Sequence, residues 1–155
     1  MSPGPGIAAT LKTTTRTPPG DACYEGNLAD VLELVLRAVA LIENEGSEAA
    51  FARIMERGGE FVRGDLYLFV LDPQGRVVAN GAAPESVGAS ALAARDQDGR
   101  YFVREILERA FSVGDGWTRY RWFSPCSGKW FDKQVYFKRI GRYVVCSGFY
   151  DTLAQ

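Results

Sequence analysis

The side chains able to do chemistry are an unusual selection. The chain has no histidine among its 155 residues. A Ser-His-Asp triad, a Cys-His dyad, a His-ligated zinc and a His-ligated haem are therefore all excluded. Three cysteines, Cys23, Cys126 and Cys146, form no CxxC pair, and their odd number leaves at least one thiol free. The acidic residues lie mainly on helix faces and in turns, which argues against paired catalytic carboxylates. What remains is a set of aromatic and cationic side chains on strands. Residues 117–123 alternate Trp117, Arg119, Arg121 and Phe123 with Thr118, Tyr120 and Trp122. One face is charged and meets solvent; the other presents aromatic bodies with polar handles, which suits a half-wet pocket wall or a plain aromatic core.

A lysine belongs to the same wall. With the following turn centred between Cys126 and Ser127, hairpin pairing sets Tyr120 opposite Lys133 and Trp122 opposite Phe131. Lys133 then faces inward beside Val135 and Phe137. A lysine there needs a counter-charge, because an unpaired buried ammonium costs several kcal/mol. A ligand carboxylate or Asp96 is the expected partner, whereas a register slip of one residue would turn Lys133 outward.

These residues need elements to hold them. Leu28, Val31, Leu32, Val35, Val39 and Ile42 recur at helical spacing, with Asn27 as N-cap and Gly46 as the stop. A second helix begins at Ser47, carries Phe51, Ile54 and Met55 on one face, and ends at Gly58-Gly59. Strands follow at 66–72 and 76–80, separated by the turn Asp72-Pro73-Gln74-Gly75. Residues 81–97 lack periodicity, contain Gly81, Pro84 and Gly88, and read as a loop or a short irregular helix. Asp98 is the expected cap of a helix with Phe102, Val103, Ile106, Leu107, Ala110 and Phe111 on one face, stopped at Gly114. Strands at 117–124, 129–140 and 142–150 complete the chain. This order describes an α+β sandwich: a five-stranded antiparallel sheet with the long helix across one face. The mid-chain loop and helix roof the other face over a pocket.

Pairing arithmetic then separates two cysteines. Cys126 lies in a hairpin tip and Cys146 falls opposite Tyr136 or its neighbours, about seven to ten residues along the sheet at ~3.3 Å each. A disulfide needs Cα atoms within ~7 Å. No disulfide and no three-cysteine metal site are expected, and no cofactor is implied.

Composition is that of a globular protein, 46% hydrophobic and 24% charged with a net charge of −1. That balance gives no electrostatic reason for nucleic-acid binding. No stretch reaches the ~20 apolar residues of a membrane span, and no signal-peptide core is visible. Residues 1–24 read as a disordered Thr/Pro/Gly-rich tail and 25–155 as one domain.

Taken together, several runs resemble the single Cache domain (type 2) of bacterial extracytoplasmic sensors. They are Gly46-Ser-Glu-Ala-Ala-Phe51, Phe61 to Asp72, Gly75 to Ala79, Gly81 to Gly88 and Arg95 to Ile106. The most specific stretch runs from Gly116-Trp-Thr-Arg-Tyr-Arg-Trp122 through Pro125, Gly128-Lys129, Lys133 and Tyr136 to Gly148-Phe-Tyr150. The resemblance covers roughly residues 40–150. It implies a PAS-like Cache fold that binds a small molecule, often a carboxylate, and signals through an output module. The family often carries His where this chain has Asn80, and Gly near Cys146. It also implies an extracytoplasmic site, whereas the sequence as written reads as cytosolic. With no kinase, methyl-accepting or cyclase domain in the sequence, a separate signalling partner is expected.

The candidate ligand-binding residues are Lys133, Tyr120, Trp122, Asp96, Arg95, Asn80, Tyr67 and Tyr101. Arg95 and Asp96 sit where the loop descends on the pocket, and either contact ligand or pin the loop by an ion pair. Asn80 reads first as the start of an Asn-Gly turn with Gly81, and otherwise as a donor at the pocket mouth. The expected activity is ligand binding without catalysis. The rival reading is an interaction module with a vestigial pocket. A homodimer through the first helix is expected from its wide stripe of Leu28, Val31, Leu34, Val35, Leu41 and Ile42.

Overall fold

A computed structural model describes residues 23–24 and 26–151. Helix α1 (Leu28–Glu45) starts where the Asn27 side chain accepts the Asp30 backbone N–H at 2.9 Å. It stops at Gly46, whose N–H donates back to the Ile42 carbonyl. The positive φ of Gly46 redirects the chain at once into α2 (Ser47–Ile54), which ends short of the Gly58-Gly59 pair. Strands β1 (Leu68–Leu71) and β2 (Val77–Asn80) form a hairpin whose turn is organised by Asp72. Its carboxylate accepts the Gln74 and Arg76 N–H groups, each at 2.9 Å. Helix α3 (Phe102–Val113) is followed by β3 (Asp115–Phe123), β4 (Trp130–Ile140) and β5 (Tyr143–Asp151).

The five strands make one antiparallel sheet in the order β2-β1-β5-β4-β3. The register of β3 on β4 sets Tyr120 against Lys133 and Trp122 against Phe131, as the turn-centre arithmetic requires. Cys146 pairs with Phe137, one residue from Tyr136. The outer face of β3 carries Arg119 and Arg121, both near Asp132, with Arg121 at 3.1 Å.

Two apolar layers flank the sheet. On one side, Val31, Leu34, Val35, Ala38, Val39 and Ile42 of α1 pack with Leu68, Val70, Tyr136 and Val145. On the other, Phe102, Val103, Ile106 and Leu107 of α3 close over Phe69, Leu71, Tyr120, Trp122, Val135 and Phe137. Alternation along each strand feeds these two layers in turn. At ~25 cal/mol per Å² of buried apolar surface, both are major sources of stability.

Three expectations change. The α1 stripe offered for self-association is mostly consumed by the chain's own sheet: Val31, Leu34, Val35 and Ile42 are buried, and Leu41 packs partly against the same layer. The apolar stripe left outside is Leu28 and Leu36, 51% and 43% exposed, with Leu32 between them. Asp98 does not cap α3. The cap position is Tyr101, without a side-chain bond, because the turn before it is organised by Asp96 instead.

The third change concerns the cysteines. Cys23 and Cys126 form a disulfide with Cα atoms 5.2 Å apart. The distance argument holds for Cys126 and Cys146, the latter a free buried thiol, but Cys23 reaches the hairpin tip from outside the sheet. Cys23 and Tyr24 thus belong to the domain rather than to the tail. Residues 1–22 of that expected tail lie outside the described residues.

Candidate ligand site

Between the sheet and its roof lies a cavity of about 40 Å³. Its polar lining is Lys133, Tyr67, Asn80, Tyr120 and Trp122; its apolar walls are Phe69, Leu71, Val77, Phe102 and Val103, with Ala91 and Ala94 from the loop. A single water needs about 10–15 Å³ on this scale. The space therefore matches a few heavy atoms.

Lys133 dominates the site. It is 1% exposed, and its Nζ donates to the Tyr67 hydroxyl at 3.1 Å. The ammonium lies 4.5 Å from the Tyr67 ring centroid, 5.2 Å from that of Tyr150 and 5.4 Å from that of Phe69. No carboxylate pairs with it among the described residues. Aromatic faces offset part of the desolvation cost of a cation, yet among the described residues only one of its three N–H donors meets an acceptor, the Tyr67 hydroxyl. Gly148 on β5 makes room for the side chain. A Cβ there would stand 3.0 Å from Lys133 Cε and 2.6 Å from the Gln134 carbonyl oxygen.

The neighbours add neutral donors. Tyr120 lies under Phe102, the rings stacked at 4.0 Å, and Trp122 meets the same phenyl edge-on at 4.9 Å. Burial pushes the Tyr120 hydroxyl well above the ordinary phenol range, with Tyr67 beside it adding to the effect, so it remains an O–H donor. The Asn80 side-chain oxygen accepts the Ala82 and Ala83 N–H groups at 2.9 and 3.0 Å. That is the turn reading, and it fixes the amide of a residue that also lines the cavity. Tyr150 donates to the Phe123 carbonyl at 2.9 Å, so this wall of the cage around Lys133 is itself braced.

Three candidates stand elsewhere. Asp96 is buried, but its Oδ1 accepts the Asp98 and Arg100 N–H groups at 3.0 and 2.8 Å, and its Oδ2 the Arg121 N–H at 3.4 Å. It pins the loop through backbone donors, rather than by an ion pair with Arg95, and does not line the cavity. Arg95 is exposed, with its guanidinium 5.2 Å over the Tyr101 ring. Tyr101 is 37% exposed, and the Arg104 guanidinium also lies over its ring, at 4.1 Å. Lining residues absent from the sequence-derived set are Phe69, Leu71, Val77, Ala91, Ala94, Phe102 and Val103. Phe102 and Val103 were legible as the inward face of α3, whereas Ala91 and Ala94 carry no signal beyond their small size.

Among the described residues that line the cavity there is no serine, cysteine or carboxylate. Burial pushes the Cys146 thiol up, against a smaller opposing effect of Lys133. No cluster of metal-ligating side chains occurs among the described residues, and no described helix is long and apolar enough to cross a membrane.

A sheet roofed by a loop and short helix, backed by a long N-terminal helix and enclosing a small ligand-sized cavity, defines a PAS-like sensory fold. The chain belongs to the Single Cache domain 2 family, whose model matches residues 34–152. It is a Cache sensor domain. Among solved structures it is similar to a methyl-accepting chemotaxis protein from Vibrio parahaemolyticus, at 18% identity and a TM-score of 0.70, over 82% of this chain and 90% of that one. A Cache chemosensory domain described for carboxylic acid recognition aligns at 19% identity and a TM-score of 0.66, over 79% and 91% of the two chains. The periplasmic sensor domain of a chemotaxis protein aligns at 23% identity and a TM-score of 0.61, over 77% and 87%. No protein of curated function matches the chain.

Proposed function

We propose that this sensor domain detects a small monocarboxylate, held by Lys133 with Tyr120, Trp122 and Asn80 as neutral donors. The observation that carries the reading is a buried ammonium to which the described residues offer a hydroxyl and three aromatic rings but no paired carboxylate. A ligand carboxylate supplies the missing charge and accepts the two remaining N–H bonds. One lysine fits one carboxylate, and the volume fits an acid of two or three carbons. The carboxylic acid recognised by the similar chemosensory domain supports the same class. The Cys23–Cys126 disulfide supports work in an oxidising compartment.

Thermal-shift titration with acetate, propionate and pyruvate tests this, with acetamide as the uncharged isostere. A bound acid at a hundredfold excess over its Kd should add ~2.7 kcal/mol of stability. Equal stabilisation by acetate and acetamide would remove the ion-pair reading.

We further propose that a second copy of the chain covers the outer stripe of α1. The groove there is lined by Ala29, Leu32, Leu36 and Ala40 with Glu33 and Arg37, so antiparallel pairing sets opposite charges beside an apolar seam. Sedimentation that returns a monomer at every concentration would exclude it.

A further inference from the structure

The disulfide closes a span of 103 residues and joins the strap Cys23-Tyr24 to the β3–β4 tip. Cys23 is exposed, and its backbone lies in the left-handed region at φ 56, which is uncommon for a residue with a side chain. The strap is seated on the 63–65 loop. Gly64, at φ 59, comes so close that a Cβ on it would lie 2.5 Å from the Tyr24 backbone nitrogen. The Arg63 guanidinium lies 3.8 Å over the Tyr24 ring, and the Asp65 N–H donates to the Tyr24 carbonyl at 2.8 Å. The Tyr24 hydroxyl donates to Asp30, in the first turn of α1.

The same loop grips the tip from below. The Asp65 carboxylate accepts from Ser124 Oγ at 2.6 Å and from the Cys126 N–H at 3.0 Å. From the tip to the ligand cage is a short step. Phe123 accepts the Tyr150 hydroxyl, the Tyr150 ring faces Lys133, and Trp122 lines the cavity. The covalent link therefore braces the strand end that forms the aromatic wall of the site.

We propose that the Cys23–Cys126 disulfide is a thiol-exchange site for a dithiol reductant, and that its reduction loosens this wall and lowers ligand affinity. A thiolate of the reductant attacks Cys23 Sγ, the residue facing solvent; the new S–S bond forms as the bond to Cys126 breaks, and Cys126 leaves as a thiolate. The second thiol of the reductant then attacks its own partner sulfur in the mixed disulfide and releases Cys23. Two electrons pass from the dithiol, which departs as a disulfide, and two protons end on the two cysteines. Cys23 is then free to leave its left-handed conformation. Asp65 still holds the tip, so the response is local opening instead of unfolding.

The affinity part of this rests on the carboxylate reading, and the exchange part does not. The full chain is compared oxidised, reduced with dithiothreitol under native conditions, and as Cys126→Ser, by hydrogen exchange and by acetate titration. Amides of 122–130 and 148–151 should exchange about tenfold or more faster without the disulfide, while those of 34–42 keep their protection. The acetate Kd should rise by about fivefold to tenfold. Brief reaction with glutathione should place the mixed disulfide on Cys23. The proposal is overturned if the disulfide resists dithiothreitol until the chain unfolds, if the tip amides do not respond, or if protection falls equally everywhere. Failure of the oxidised chain to bind acetate would sink the carboxylate reading, and tip exchange would then decide the clamp by itself.

Discussion

Replacing Lys133 with methionine should weaken binding of a small carboxylate by about tenfold to a hundredfold, because charge-assisted bonds to a buried cation contribute ~1.5–3 kcal/mol each. Methionine keeps most of the aliphatic volume that fits beside Gly148 and deletes the charge. Tyr67 loses one donor, that from Lys133, and keeps its own O–H. The free protein should therefore lose little stability, and removal of an ammonium with no ion partner can raise it. Lys129→Met is the control, since Lys129 is exposed at the hairpin tip. Isothermal titration of both variants separates a specific cation from a general field. Equal losses from the two would leave only long-range electrostatics, and an unchanged affinity in Lys133→Met would remove Lys133 from the site.

The features that were legible in the sequence are those set by local chain geometry. Alternation in 117–123 with a turn centre at Cys126-Ser127 gives the observed pairing of Tyr120 with Lys133, because β3 and β4 are consecutive; a slip of one residue would have turned Lys133 outward, and the family resemblance carried most of the choice between the two. The pairing of Leu68 with Ser147, which puts β1 beside β5, joins residues far apart in the chain and has no comparable local sign. Asp96 and Asp98 are both plausible loop-to-helix residues by type. The choice between them depends on which carboxylate can reach the N–H groups of its own turn while also meeting β3. Cys23 lies in a stretch without periodicity, so strand spacing could not locate it. Its position follows from the contacts that seat Tyr24 against Arg63, Gly64 and Asp65. The small volume of the cavity was equally hidden, since it depends on how closely Phe102 and the two alanines approach the sheet.

That closeness supplies the largest expected effect. Phe102→Ala should cost about 3–5 kcal/mol, the usual range for deleting a buried phenyl from a packed core. Phe102 is the first residue of α3, is buried, and stacks on Tyr120 while meeting Trp122 edge-on. Alanine favours the helix slightly, by up to about 0.7 kcal/mol, which offsets only a small part of the loss. The variant should still fold if the parent lies in the upper part of the ~5–15 kcal/mol range of ordinary domains; Phe102→Leu provides a milder test where it does not. The missing ring also opens the roof above the donors. Acetate should bind more weakly because Tyr120 is no longer held flat under its neighbour, whereas benzoate, too large for the parent cavity, should gain affinity by filling the vacated volume. Urea denaturation and titration with both acids read the two effects independently. A folded variant that loses less than about 1 kcal/mol would contradict the packing assigned to Phe102. One that loses stability but still excludes benzoate would show that the roof does not set the size limit of the site.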